Sequence, residues 1–141
     1  MPLNEKVLVS MAGGERRSQL SVCLKALGAT PLEADDCRMA RRALARRGPL
    51  KLVISDVELS DGDWRDVLAA AQLRPGGVSF LVSTPFPDHS LWSEALWRGA
   101  YDLLVEPYSA SELRRIVEGA LRDQETKASP SRATTAIAQA V

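Results

Sequence analysis

Only two cysteines, Cys23 and Cys37, occur in the 141 residues, and neither lies in a C-x-x-C pair or beside a histidine cluster. That excludes a disulfide framework and leaves no zinc-ligand spacing, so a reducing compartment is expected. The single histidine, His89, has no evident partner that would make it a ligand or a base, and it is read as structural. Long apolar runs are missing too. The opening MPLNEKVLVSMAGG breaks at Gly13-Gly14 and continues into Glu15-Arg16-Arg17, which suits neither a signal h-region nor a membrane span. Charge of one sign is absent: 18 basic and 18 acidic residues cancel. The long-range attraction of a dedicated nucleic-acid binder is therefore not available. A cytoplasmic location is expected, with no membrane partner.

What is present is an alternation of short apolar runs and helical periods. Residues 6–10, KVLVS, read as a strand; Leu20, Cys23, Leu24 and Leu27 recur at spacings of three and four and define a helix from Glu15, stopped by Gly28. Residues 29–34 read as an edge strand, where Pro31 is tolerated. Asp35 or Asp36 can cap the next helix, whose Met39, Ala40 and Leu44 share a face before Gly48-Pro49. Residues 50–57, LKLVISDV, form a nearly continuous hydrophobic run that breaks at Asp56, as a strand covered on both faces would. A helix over 64–72, a strand over 78–84, a helix over 90–100 and a strand over 101–107 follow. Ser109 with Glu112 matches a capping box before a last helix carrying Leu113, Ile116, Val117, Ala120 and Leu121 on one side. Five β/α units predict a three-layer α/β domain over 1–122, with helices on both faces of a parallel sheet. The polar stretch 123–141 is expected to be a flexible C-terminal tail. The functional crevice of such a sheet lies at the carboxyl ends of its strands, which puts Asp56 in it. No Gly-rich phosphate motif follows the first strand, and no nucleophile, base and orienter group is evident, so no enzyme is expected. No output domain is visible in the sequence.

Three stretches carry a family resemblance: LVISDVELSDGDW with Asp56, FLVSTPFPD with Thr84, and GAYDLLVEPYSASEL. In this order and spacing the chain resembles the receiver domains of bacterial response regulators over roughly residues 5–122. The resemblance implies a flavodoxin-like (βα)5 fold with strand order 2-1-3-4-5. It also implies a phosphoacceptor at Asp56, switch positions at Thr84 and Leu103, and Pro107 on a cis bond. A sensor histidine kinase or another signalling protein is the implied partner.

The family's chemistry needs a Mg²⁺ held by two acidic residues after the first strand, and a lysine after the last one, because phosphoryl transfer depends on positioning and charge stabilisation. Here Met11 and Ala12 stand at the acidic pair and Glu106 at the lysine, followed by Pro107. Neither Met nor Ala ligates a hard cation, and Glu15 would have to meet an octahedral geometry at about 2.1 Å. Two unit charges ~4 Å apart interact by about 4 kcal/mol at an effective dielectric near 20. Glu106 is thus expected to oppose a phosphoryl group on Asp56, and to raise a carboxyl pKa if the two acids meet. On that basis Glu106→Gln would stabilise the fold. The expectation is a degenerate receiver working by protein contact, with Mg²⁺ binding lost or weak and no other cofactor. The alternative is a functional phosphoacceptor modified on Asp56 by a histidine kinase.

Blander readings stand beside these. Asp56 and Thr84 can serve as strand-end polar groups that satisfy backbone partners. The arginines 38, 41, 42, 46 and 47 read as a solvated helix face rather than a nucleic-acid site. Trp64 is expected to pack over the loop that precedes it. Trp92 and Trp97, about 140° apart on one helix, are not expected both to face the core. Trp97, beside Arg98, is the candidate for a homodimer surface built from the helix over 90–100, the strand after it and the last helix.

Overall fold

The computed structural model describes residues 1–128. Its elements are β1 (Lys6–Ser10), α1 (Glu15–Ala26), β2 (Thr30–Ala34), α2 (Cys37–Ala45), β3 (Leu52–Asp56), β4 (Glu58–Leu59), β5 (Gly62–Asp63), α3 (Trp64–Gln72), β6 (Ser79–Thr84), α4 (His89–Arg98), β7 (Asp102–Val105) and α5 (Ala110–Ala128). The large sheet has order β2-β1-β3-β6-β7, and every pairing in it is parallel. Counting the strands of that sheet alone, this is the expected 2-1-3-4-5. The additional elements β4 and β5 form a small antiparallel pair in the stretch after Asp56, which has too little apolar alternation to read as strands.

Alternation along each buried strand sends side chains to opposite faces. Val7, Val9, Leu52, Ile54, Leu81 and Leu104 meet Leu20 and Leu24 of α1 and Leu113 and Val117 of α5. Leu8, Val53, Phe80, Val82 and Leu103 meet α2, α3 and Ala95 of α4. Each fully buried Leu or Phe contributes roughly 1.5–3 kcal/mol, and the strands are apolar on both sides because both sides are covered. Trp64 is fully buried in the second layer, deeper than a residue that only covers a loop.

The caps follow the sequence signals. Of the two candidates for α2, Asp36 accepts from the Met39 amide at 2.8 Å, and Ser109 accepts from the Glu112 amide at 3.1 Å, one of the two bonds of the expected capping box. Asp63 opens α3 in a reciprocal capping box with Asp66. On β2, the Thr30 amide and the Ala34 carbonyl bond toward β1, so Pro31 turns its missing N–H to the open edge. The last helix continues to Ala128, and Gln124 is buried with its amide donating to the carbonyls of Gly76 and Gly77. The boundary expected at 122 therefore falls inside α5, and the rest of the expected tail, 129–141, lies outside the described residues.

Candidate functional site

The carboxyl ends of β1, β3, β6 and β7 lie side by side, with Ser10 in register with Ser55, Asp56 with Ser83, and Thr84 with Val105. Asp56 ends β3, and Glu106 follows β7. The loop after β1 is short and leads at once into α1, whose second residue is Arg16. Side chains of a helix tilt toward its N-terminus, so a long residue in the first turn reaches back over the sheet end.

Arg16 does so and joins the two acids. Its Nη1 and Nη2 donate to Asp56 Oδ2 and Oδ1 at 2.8 and 3.0 Å. Its Nε and Nη2 donate to Glu106 Oε1 and Oε2 at 2.9 and 2.6 Å. Both carboxylates are held in the two-pronged geometry that a planar guanidinium provides and a lysine does not. Ser83 Oγ also donates to Glu106 Oε2 at 2.7 Å, and the Val57 amide donates to Asp56 Oδ1 at 2.8 Å. The side chains of Asp56 and Glu106 are 15% and 16% exposed, and that of Arg16 is 39% exposed.

The charge inversion at position 106 is therefore answered from within the chain. Burial by itself would push the Glu106 carboxyl up; the hydrogen bonds from Arg16 and Ser83, with the Arg16 charge, outweigh it and hold the pKa below its ordinary value. The same bonds, first to Glu106 and then to Asp56, raise the Arg16 guanidinium. Repulsion between Asp56 and Glu106 does not govern the site, and the expectation that Glu106→Gln stabilises the fold is corrected. Arg16 carries no motif. The available signal was charge balance, since two acids at the carboxyl ends of β3 and β7, with only β6 between them, need a cation and the first turn of α1 is one of few places that can supply it.

The other positions are distributed as follows. Met11 is buried and packs in the α1/α5 layer, while Ala12 is exposed. Glu15 is exposed and accepts from Gln19, apart from the Asp56 group. Arg17 turns away from Arg16 to the Met11 carbonyl, Glu33 and Asp35. Thr84 is buried, its Oγ1 accepts from the Phe86 amide at 3.0 Å, and its carbonyl accepts from the Glu106 amide. Leu103 is buried in the α2/α3 layer. The Glu106–Pro107 bond is cis. Among the described residues, no group of three or more His, Cys, Asp or Glu side chains is placed to hold a metal ion.

Both tryptophans of α4 reach the surface. Trp92, 43% exposed, donates to Asp102 of β7 at 3.3 Å and stands beside His89. It lines the groove between α4, β7 and α5 together with Tyr101, Arg115 and Ile116. Trp97, 84% exposed, lies on another side of α4 with Ser90, Ser93 and Glu94. Glu94 is tied to Arg65 of α3 and to Arg98, which hold its carboxyl down to about 2. Trp97 is thus outside the groove expected to hold it, and Arg98 is engaged in an ion pair.

No protein-family model matches the chain. It is 29% identical over 118 residues to the response regulator protein PilR of Pseudomonas aeruginosa, covering 84% of this chain and 26% of that protein. It is 33% identical over 98 residues to the regulatory protein LuxO of Vibrio cholerae, covering 66% and 21%. The signal receiver domain of an HD domain-containing protein from Pseudomonas fluorescens superposes with a TM-score of 0.75 at 27% identity, covering 86% of this chain and 98% of that one. The fold is that of a response-regulator receiver domain. Relatives and structural neighbours alike support the receiver family for this chain. It spans about a quarter of the length of the curated relatives it matches. Among the described residues, no helix is long and apolar enough to cross a membrane.

Proposed function

We propose that this receiver-like chain acts in two-component signalling through protein contact, with Arg16 as a permanent counter-ion where the family uses Mg²⁺ and a lysine. The observation that carries the reading is the guanidinium held between Asp56 and Glu106. A hard dication needs oxygen ligands on nearly every side. Here both Asp56 oxygens already accept from Arg16, the Met11 side chain offers no oxygen and its carbonyl accepts from Arg17, and a fixed positive charge stands 2.8 Å from the carboxylate. These residues do not fit Mg²⁺. The reading includes no catalysis of its own and no cofactor, and it places the protein in the cytoplasm.

The partner is a sensor histidine kinase or another signalling protein; nucleic acid and membrane are not expected. A second copy would meet the α4–β7–α5 face, with Trp92 in the central place expected for Trp97. One observation favours the alternative of a working phosphoacceptor at Asp56: Arg16 could itself supply the charge that a phosphoryl group requires. That alternative needs Arg16 to leave one Asp56 oxygen. Incubation with phosphoramidate, with and without Mg²⁺, followed by intact-mass analysis, separates the two. The unmodified mass is expected in both arms, and stoichiometric phosphorylation lost in Asp56→Asn would establish the alternative.

A further inference from the structure

Five arginines, Arg38, Arg41, Arg42, Arg46 and Arg47, lie on α2 or just past its end. All are exposed, and none forms a salt bridge among the described residues. The arrangement is costly for an isolated helix, because Arg38 meets Arg41 and Arg42 at i+3 and i+4, and like charges at those spacings oppose helix formation. The first turn contributes no acid. A merely solvated face would interleave signs. Arg16, Arg17, Arg65 and Arg98, by contrast, each meet a carboxylate.

Three of the five arginines, Arg42, Arg46 and Arg47, border a groove of about 410 Å³ between α2 and the edge strand β2. Its apolar lining includes Leu32 and Met39, both exposed, with buried Leu8 and Leu50. Its free charges are Arg42, Arg46, Arg47 and Lys6. Glu33, the one acid in the lining, is engaged by Arg17 and Ser21. The rim is held in place: Arg74 donates to the carbonyls of Leu44 and Arg46 at 2.9 and 2.8 Å.

We propose that this groove docks an acidic amphipathic helix from a partner protein. Charge complementarity selects the acidic face, and the exposed Leu32 and Met39 select the apolar one; methionine adapts readily to helical ligands. Addition of a strand to β2 is disfavoured because Pro31 presents no N–H at the open edge. A phosphate backbone would leave the apolar lining unused, and the chain as a whole has no net charge to attract one. The site stands apart from the Asp56 group and does not depend on whether Asp56 is ever phosphorylated.

The test is fluorescence anisotropy on the full chain. The probe is a labelled synthetic peptide of about twenty residues, stapled to hold the helix, with Leu at i, i+3, i+4 and i+7, Glu on the flank beside them and Ala or Gln elsewhere. A scrambled peptide of the same composition and a single-stranded oligonucleotide serve as controls. Arg42→Gln/Arg46→Gln and Met39→Asp alter exposed side chains only, and circular dichroism checks that each variant folds. The amphipathic probe should bind with a salt-dependent affinity, about tenfold weaker in each variant, and the scrambled peptide should bind more weakly than the probe. Absence of probe binding, or binding that either folded variant leaves unchanged, overturns the proposal. Equal binding of the scrambled peptide or the oligonucleotide also overturns it, in favour of a general polyanion surface.

Discussion

Arg16→Ala removes the one cation that faces both Asp56 and Glu106, and its cost can be worked from the geometry. Breaking a fully buried ion pair costs about 3–5 kcal/mol, because the surviving charge is stranded. Two carboxylates are stranded here, but Arg16 is 39% exposed, and water reaching the vacated place screens both. About 2–3 kcal/mol at neutral pH is the expected loss, or roughly 6–10 °C in Tm for a domain of this size. The pH dependence identifies the cause. In the native protein the Glu106 pKa lies below its ordinary value of 4.5, so its contribution is present above that value and lost as pH falls through the folded one. Without Arg16, burial, the largest single influence on Glu106, is opposed only by the Ser83 hydrogen bond; the Glu106 pKa is expected to rise instead, and stability to fall as pH rises from the unfolded value through the raised one. The gap between the two proteins should therefore widen from acid to neutral pH. Urea unfolding at several pH values, with the slope unchanged, measures it. A loss below about 0.5 kcal/mol at neutral pH, or a gap of the same size across the carboxylate range, would mean that Arg16 does not neutralise the two acids.

Glu106→Gln keeps the shape but removes the charge that Arg16 binds, so it should destabilise by about 1 kcal/mol at neutral pH; a raised urea midpoint would restore the repulsion account. Gly28→Ala should cost more than about 1 kcal/mol, because Gly28 sits at φ +85 and an added Cβ would lie 2.4 Å from Pro2 Cβ; thermal unfolding checks it. Trp64→Ala should lose about 3–5 kcal/mol, whereas Trp97→Ala should stay within about 0.5 kcal/mol, both read from denaturant midpoints. Trp92→Ala, and not Trp97→Ala, should weaken self-association in sedimentation if a second copy uses the α4–β7–α5 groove.

The β/α alternation, the helix start at Ser109, a start at Asp35 or Asp36, the strand-end place of Asp56 and the edge position of Pro31 could all be read along the chain. These are local: an apolar period, a cap three residues from its partner, or a missing N–H is written within one element. The pair β4–β5 was not legible because two-residue strands carry no period. The extension of α5 was hidden because Gln124, polar by composition, is held by carbonyls of residues 76 and 77. The electrostatics of the site and the face of each exposed tryptophan arise from how the elements pack. Arg16 is 40 residues from Asp56 and 90 from Glu106, and the neighbouring Arg17, one helical step around, serves β2 instead. A pattern along the chain says that Asp56 and Glu106 stand at the carboxyl ends of β3 and β7, on either side of β6. Which cation lies between them depends on how α1 packs over the sheet end, and that packing turned an expected repulsion into an ion-paired group.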